Sequence, residues 1–203
     1  MASRAIPYLL TPYLSLSDES SLTLLTNVLS ATSNWLVVRY LQSLLPARGK
    51  ANDDADASDG CAAVVLVSFM RDFAFWSECS GKLIDFLLAA TEGSATELQN
   101  ALLSLRENVY STILTVAADS ALIAEQNTAL ERNHAGLALD LAHQADTVIS
   151  LRMLDTGVAR DVSGVMRITR GGQDHHDERN TEEHEYLYYV SGDGGVRVFE
   201  RGQ

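Results

Sequence analysis

The segment Ser30-Ala31-Thr32-Ser33-Asn34 is a short polar loop between an apolar run of strand length and one of helix length. A strand, a short loop and a buried helix near the N-terminus form the place where a phosphate-binding loop sits. Such a loop needs glycines, so that backbone N–H groups can close around phosphate. It also needs a lysine for the β- and γ-phosphates and a Ser or Thr for magnesium. This loop holds no glycine and no lysine; of its three hydroxyl residues, Ser33 is the one that mimics the magnesium ligand. A helix N-terminus still favours anions, but this one lacks the cradle. The residues imply no catalytic, cofactor-binding or metal-binding set at this place, and no functional P-loop.

Other reactive side chains are scattered. His175, His176 and His184 share one polar stretch with Asp174, Asp177 and Glu183. Their spacing fits no established zinc pattern, so a solvated loop is expected. His134 and His143 are nine residues apart, on opposite sides of a helix. Asp53, Asp54, Asp56 and Asp59 lie among Ala, Gly and Ser, without the ordered ligands and shaping glycine of a calcium loop. Gly192-Asp193-Gly194-Gly195 lies between two strand-like runs, so it reads as a turn and not a nucleotide loop. No Ser/His/Asp or Cys/His nucleophile stands out.

The elements that position these residues follow from apolar patterning. Leu22 to Leu29 and Tyr110 to Ala118 read as buried strands, and Ala62 to Met70 is continuously apolar and β-branched, as in a parallel sheet covered on both faces. Thr147 to Leu154 is a further strand. Trp35 to Leu45 reads as a buried helix capped by Ser33 or Asn34 and ended by Pro46. Thr96 to Glu107 has leucines at helical spacing, and Ser120 to His143 reads as one long helix with Leu122, Leu130, Leu137 and Leu141 on its apolar side. Gly164 to Arg170, Glu185 to Val190 and Gly195 to Glu200 read as antiparallel hairpin strands. Residues 1–20 form an irregular arm, and 47–60 and 173–184 are flexible loops. The order implies one α/β domain over 1–203, its mostly parallel sheet flanked by helices, with antiparallel C-terminal hairpins.

Composition narrows the function. The 203 residues carry a formal net charge of −12, unlike a free-standing nucleic-acid binder with a basic stripe. The two cysteines, Cys61 and Cys79, suit an intracellular protein with free thiols. No secretory signal is read at the N-terminus. No apolar run reaches the about 18 residues of a membrane helix.

Three stretches resemble the fungal form of the sixth subunit of the Elongator complex: PYLSLSDESSLTLLTNVLSATSNWLVVRYL, AAVVLVSFMRDFAFWSE, and the block from Ile84 to Gly172. The second is the most specific, with a strand that ends in Ser68-Phe69-Met70-Arg71-Asp72 before Phe75-Trp76. The resemblance implies a RecA-like fold without ATPase motifs, no cofactor, and a hetero-hexameric ring with the fourth and fifth subunits, two copies of each. It further implies contact with the remainder of Elongator, tRNA binding by the ring, support of wobble-uridine modification, and a cytoplasmic and nuclear location. The pattern departs between Trp76 and Ile84, where some tens of residues of the family pattern are missing and Asp85 resembles the acidic end of a lost strand. In related RecA-like proteins the strand at VMRITRGG ends in a Lys-x-Arg pair that reaches a neighbour's nucleotide site. Arg170 matches the arginine and Ile168 replaces the lysine. Arg160, Arg167 and Arg170 are the candidates for a tRNA or inter-subunit edge. A degenerate P-loop ATPase and a scaffold of another intracellular complex are the alternatives.

Overall fold

The computed structural model describes residues 6–16, 19–45, 64, 95–157, 159–172 and 182–200. The expected strand Ala62–Met70, the aromatics Phe73, Phe75 and Trp76, the run Ile84–Ala90 with Asp85, and the loop 47–60 lie outside the described residues, Val64 excepted.

The arm is more regular than its composition suggests. A 3-10 turn at Tyr8–Leu10 leads into helix α1, Thr11–Leu14. Leu10 and Leu14 are buried. Tyr40 Oη donates to the Tyr13 carbonyl at 2.9 Å and ties the arm to the core. Strand β1 (Ser21–Asn27) and helix α2 (Asn34–Leu44) follow. Next come α3 (Ala95–Arg106), β2 (Ser111–Ala117), α4 (Ala129–Gln144) and β3 (Thr147–Arg152). Strands β4 (Gly164–Arg170), β5 (His184–Val190) and β6 (Val196–Phe199) complete the order.

The described strands form one sheet in the order β2-β1-β3-β4-β5-β6. β1 pairs in parallel with β2 and β3. Every pairing from β3 to β6 is antiparallel. This mixed sheet, flanked by helices and ending in antiparallel strands, is the class that the sequence implies.

Leu24 and Leu25 are adjacent on β1 and both buried, so β1 needs cover on both faces. On one face, Leu36 and Tyr40 of α2 and Leu10 and Leu14 of the arm pack on Leu25, Ile149, Met166, Ile168 and Tyr188. On the other, Leu22 and Leu24 meet Leu141 of α4, with Leu102 of α3 beside them. Trp35 tilts against Tyr188, their ring centroids 5.0 Å apart. Burial pushes the Tyr188 hydroxyl up to about 12, so it stays protonated at neutral pH. Buried Arg39 donates from Nη2 to the Gly194 carbonyl at 3.0 Å and docks the β5–β6 turn onto α2. In that turn Gly194 has φ +82, a conformation that favours glycine.

Two expectations shift. The long helix from Ser120 to His143 is divided. A π turn at Ala121–Glu125 ends at Gln126, whose φ of 47 is left-handed. Helix α4 then starts afresh with a capping box. The Glu131 N–H donates to Thr128 Oγ1 at 3.2 Å, and the Thr128 N–H to Glu131 Oε2 at 2.8 Å. Of the loop 173–184, residues 173–181 lie outside the described part, and His184 already belongs to β5.

Replacing a capping Ser or Thr by Ala costs about 0.5–2 kcal/mol. Thr128→Ala is therefore expected to lower the urea midpoint by that equivalent, with Thr128→Ser close to wild type. Equal midpoints for all three proteins contradict a separate helix start at Thr128.

Candidate functional site

Ligands of open α/β sheets bind outside the carboxyl ends of the parallel strands. Here that region is the β1–α2 connection, residues 28–33, beside the end of β2. Val28 and Ala31 form an antiparallel bridge. The Ala31 N–H donates to the Val28 carbonyl at 2.9 Å and closes a four-residue turn. Leu29 stands at its tip, 85% exposed. The Leu29 N–H donates to Asp119 Oδ1 at 3.0 Å. The Ala118 N–H donates to the Asn27 carbonyl at 2.7 Å, so the exit of β2 is stitched to the exit of β1.

This geometry is poorly suited to a triphosphate. A phosphate cradle presents several free N–H groups. In this turn one N–H is closed on Val28 and another is taken by a carboxylate of the chain itself. A phosphate placed beside Leu29 would meet the negative charge of Asp119. Ser33 occupies the N-cap position of α2 with helical backbone angles, φ −84 and ψ −3, and makes no side-chain cap bond. A cap normally has extended angles. Ser33 is only 1% exposed, and its hydroxyl makes no hydrogen bond with the described residues.

The histidines have local roles. His134 Nε2 lies 2.7 Å from the Ala117 carbonyl and ties α4 to the end of β2. His184 Nε2 lies 3.1 Å from Glu182 Oε2, and its ring stacks on Tyr186. Among the described residues no three His, Cys, Asp or Glu side chains gather as a metal site. His175 and His176 lie outside them. An open recess of ≈ 310 Å³, lined by Ser20, Leu103, Arg106, Glu107 and Gln144, lies at the other end of the parallel strands.

Arg160, Arg167 and Arg170 are all exposed, but Arg167 and Arg170 do not share a face of the sheet. Arg160 is in the β3–β4 connection. Arg167 and Arg170 are three residues apart on β4, so the pleat sends them to opposite faces. The Arg170 N–H donates to Glu183 Oε1 at 3.2 Å. The register instead puts Arg167 on the same face as Arg152 of β3 and Arg197 of β6, neither of which the sequence reading singled out. The signal was an arginine beside the apolar residues of each strand: SLR, VMRIT and VRVF.

No family model matches the chain, and no curated protein matches it. Among solved structures it is similar to a KaiC-like protein of the hyperthermophilic archaeon Pyrococcus horikoshii. The two are 14% identical, with a TM-score of 0.52 over 98% of this chain and 100% of that one. The fold is RecA-like. At this identity the similarity describes the RecA-like scaffold, whose β1–α2 turn here gives its Leu29 N–H to Asp119.

The purified chain is expected to show no saturable heat of binding with ATP at millimolar concentration, with or without magnesium. Micromolar affinity that disappears in Ser33→Ala would overturn this reading of the turn.

Proposed function

We propose that this chain is a non-catalytic RecA-like subunit of the Elongator type. In this reading it joins two RecA-like paralogues, the fourth and fifth subunits, in a hetero-hexameric ring. The ring binds tRNA and supports modification of the wobble uridine. The observation that carries the proposal is a RecA-like scaffold whose β1–α2 turn has no glycine or lysine and gives its Leu29 N–H to the chain's own Asp119. A protein that keeps the scaffold without the cradle is suited to assembly. The sequence resemblance to the sixth subunit supplies the partners and the RNA.

A degenerate ATPase would share the fold. The absence of glycine and lysine from Ser30 to Asn34 speaks against it. A scaffold of an unrelated complex differs only in its partners, and the resemblance favours Elongator. The net charge of −12 fits a subunit that handles RNA inside an assembly. Phosphate contacts supply most non-specific affinity, and a polyanion is repelled at long range by a chain this acidic. Several subunits around one opening can each add a small basic surface.

Co-expression with the two paralogues is expected to yield a ring that binds labelled tRNA and loses affinity as salt rises. The lone chain is expected to bind tRNA far more weakly. Failure to co-purify, tight binding by the lone chain, or ring binding that ignores salt contradicts the proposal.

A further inference from the structure

The antiparallel half of the sheet is covered unevenly. Its inner face carries Met166, Ile168, Tyr186 and Tyr188 under α2 and the arm. Alternation assigns Arg152, Arg167, Tyr189, Arg197 and Phe199 to the opposite face, with Glu185 directly across from Arg167. Arg167 and Arg197 are exposed, Tyr189 and Phe199 half-buried, and Val165 beneath them fully buried. The face therefore has an apolar floor with cations standing on it. Arg152 is engaged, by Asp155 at 2.7 Å and by Glu185 at 3.3 Å. Arg167 and Arg197 form no ion pair with the described residues. The Arg197 guanidinium sits 5.1 Å over the Tyr189 ring.

We propose that this face of β4–β6 is a contact surface for single-stranded RNA. Arg167 and Arg197, with no ion pair among the described residues, stand on strands about 10 Å apart and are offset by four residues of β5, so they suit a backbone that crosses the sheet obliquely. A guanidinium over a tyrosine ring offers an unstacked base a cation and a π-surface together, which is how single strands are held without sequence preference. With three arginines to one glutamate on this face, charge complementarity favours a polyanion. The aromatic floor favours one with bases over an acidic protein segment. In a chain of net charge −12, two exposed arginines with no ion pair among the described residues are the local exception that RNA contact requires. The inference rests on the tRNA reading above for which RNA is bound; the surface is testable without the ring.

The test uses the isolated chain and a fluorescent oligouridine of about ten nucleotides at low ionic strength. Weak binding, with a Kd of about 0.1 mM, is expected. In Arg167→Gln/Arg197→Gln it should fall about tenfold, and the salt dependence should flatten by about one to two released ions. Tyr189→Ala should lose about fivefold, and Tyr189→Phe should keep wild-type affinity, because stacking needs the ring and not the hydroxyl. Absence of RNA binding at low salt, unchanged affinity in the double variant, or equal competition by polyglutamate overturns the proposal. The last outcome would assign the face to an acidic protein. Loss of paralogue co-purification with intact oligouridine binding would sink the ring and leave this surface standing.

Discussion

Strand β1 is held at both ends by carboxylates from its neighbours. At its start Asp146 Oδ2 accepts from the Leu22 N–H at 2.6 Å, and the Asp146 N–H donates to the Leu22 carbonyl at 2.9 Å. At its exit Asp119 Oδ1 accepts from the Leu29 N–H at 3.0 Å. Backbone groups at the ends of a central strand lie beyond the ladder and still need partners. Here two aspartates supply them. With β1 fixed, its buried leucines set the positions of α2 on one face and α4 on the other, and the remaining strands add outward from β3.

The same constraint decides where ligands can act. The exit of β1 is where a RecA-like fold offers its backbone to phosphate. Here Asp119 accepts the Leu29 N–H of that turn, so a carboxylate of the chain stands beside it. The antiparallel half is different. The arm and α2 cover one of its faces, and arginines stand on the other. Arg39 links the two halves, since its contact with Gly194 places the β5–β6 hairpin that carries Arg197.

Much of this scaffold is legible in the residues. The apolar runs at Leu22, Tyr110 and Thr147 mark three parallel strands because a strand buried on both faces has few polar positions. The glycine-rich turn before Val196 marks a hairpin because its backbone conformation favours glycine. The break before Thr128 was missed although Thr128 and Glu131 spell a capping box, since Leu122 and Leu130 keep apolar spacing across it. The closed turn had no local signal: Asp119 lies 90 residues from Leu29, and only strand pairing brings them together. The arginine face was hidden likewise. Arg167 is readable on its strand, but its companions Arg152 and Arg197 depend on the register of β3, β5 and β6.

Amide hydrogen exchange at Leu29 addresses the closed turn most directly. In the wild-type chain the Leu29 amide should exchange more slowly than in Asp119→Ala, and Mg-ATP should leave the wild-type rate unchanged. A Leu29 amide that exchanges equally fast in both proteins, or that gains protection when Mg-ATP is added, would contradict a site closed by the chain's own carboxylate.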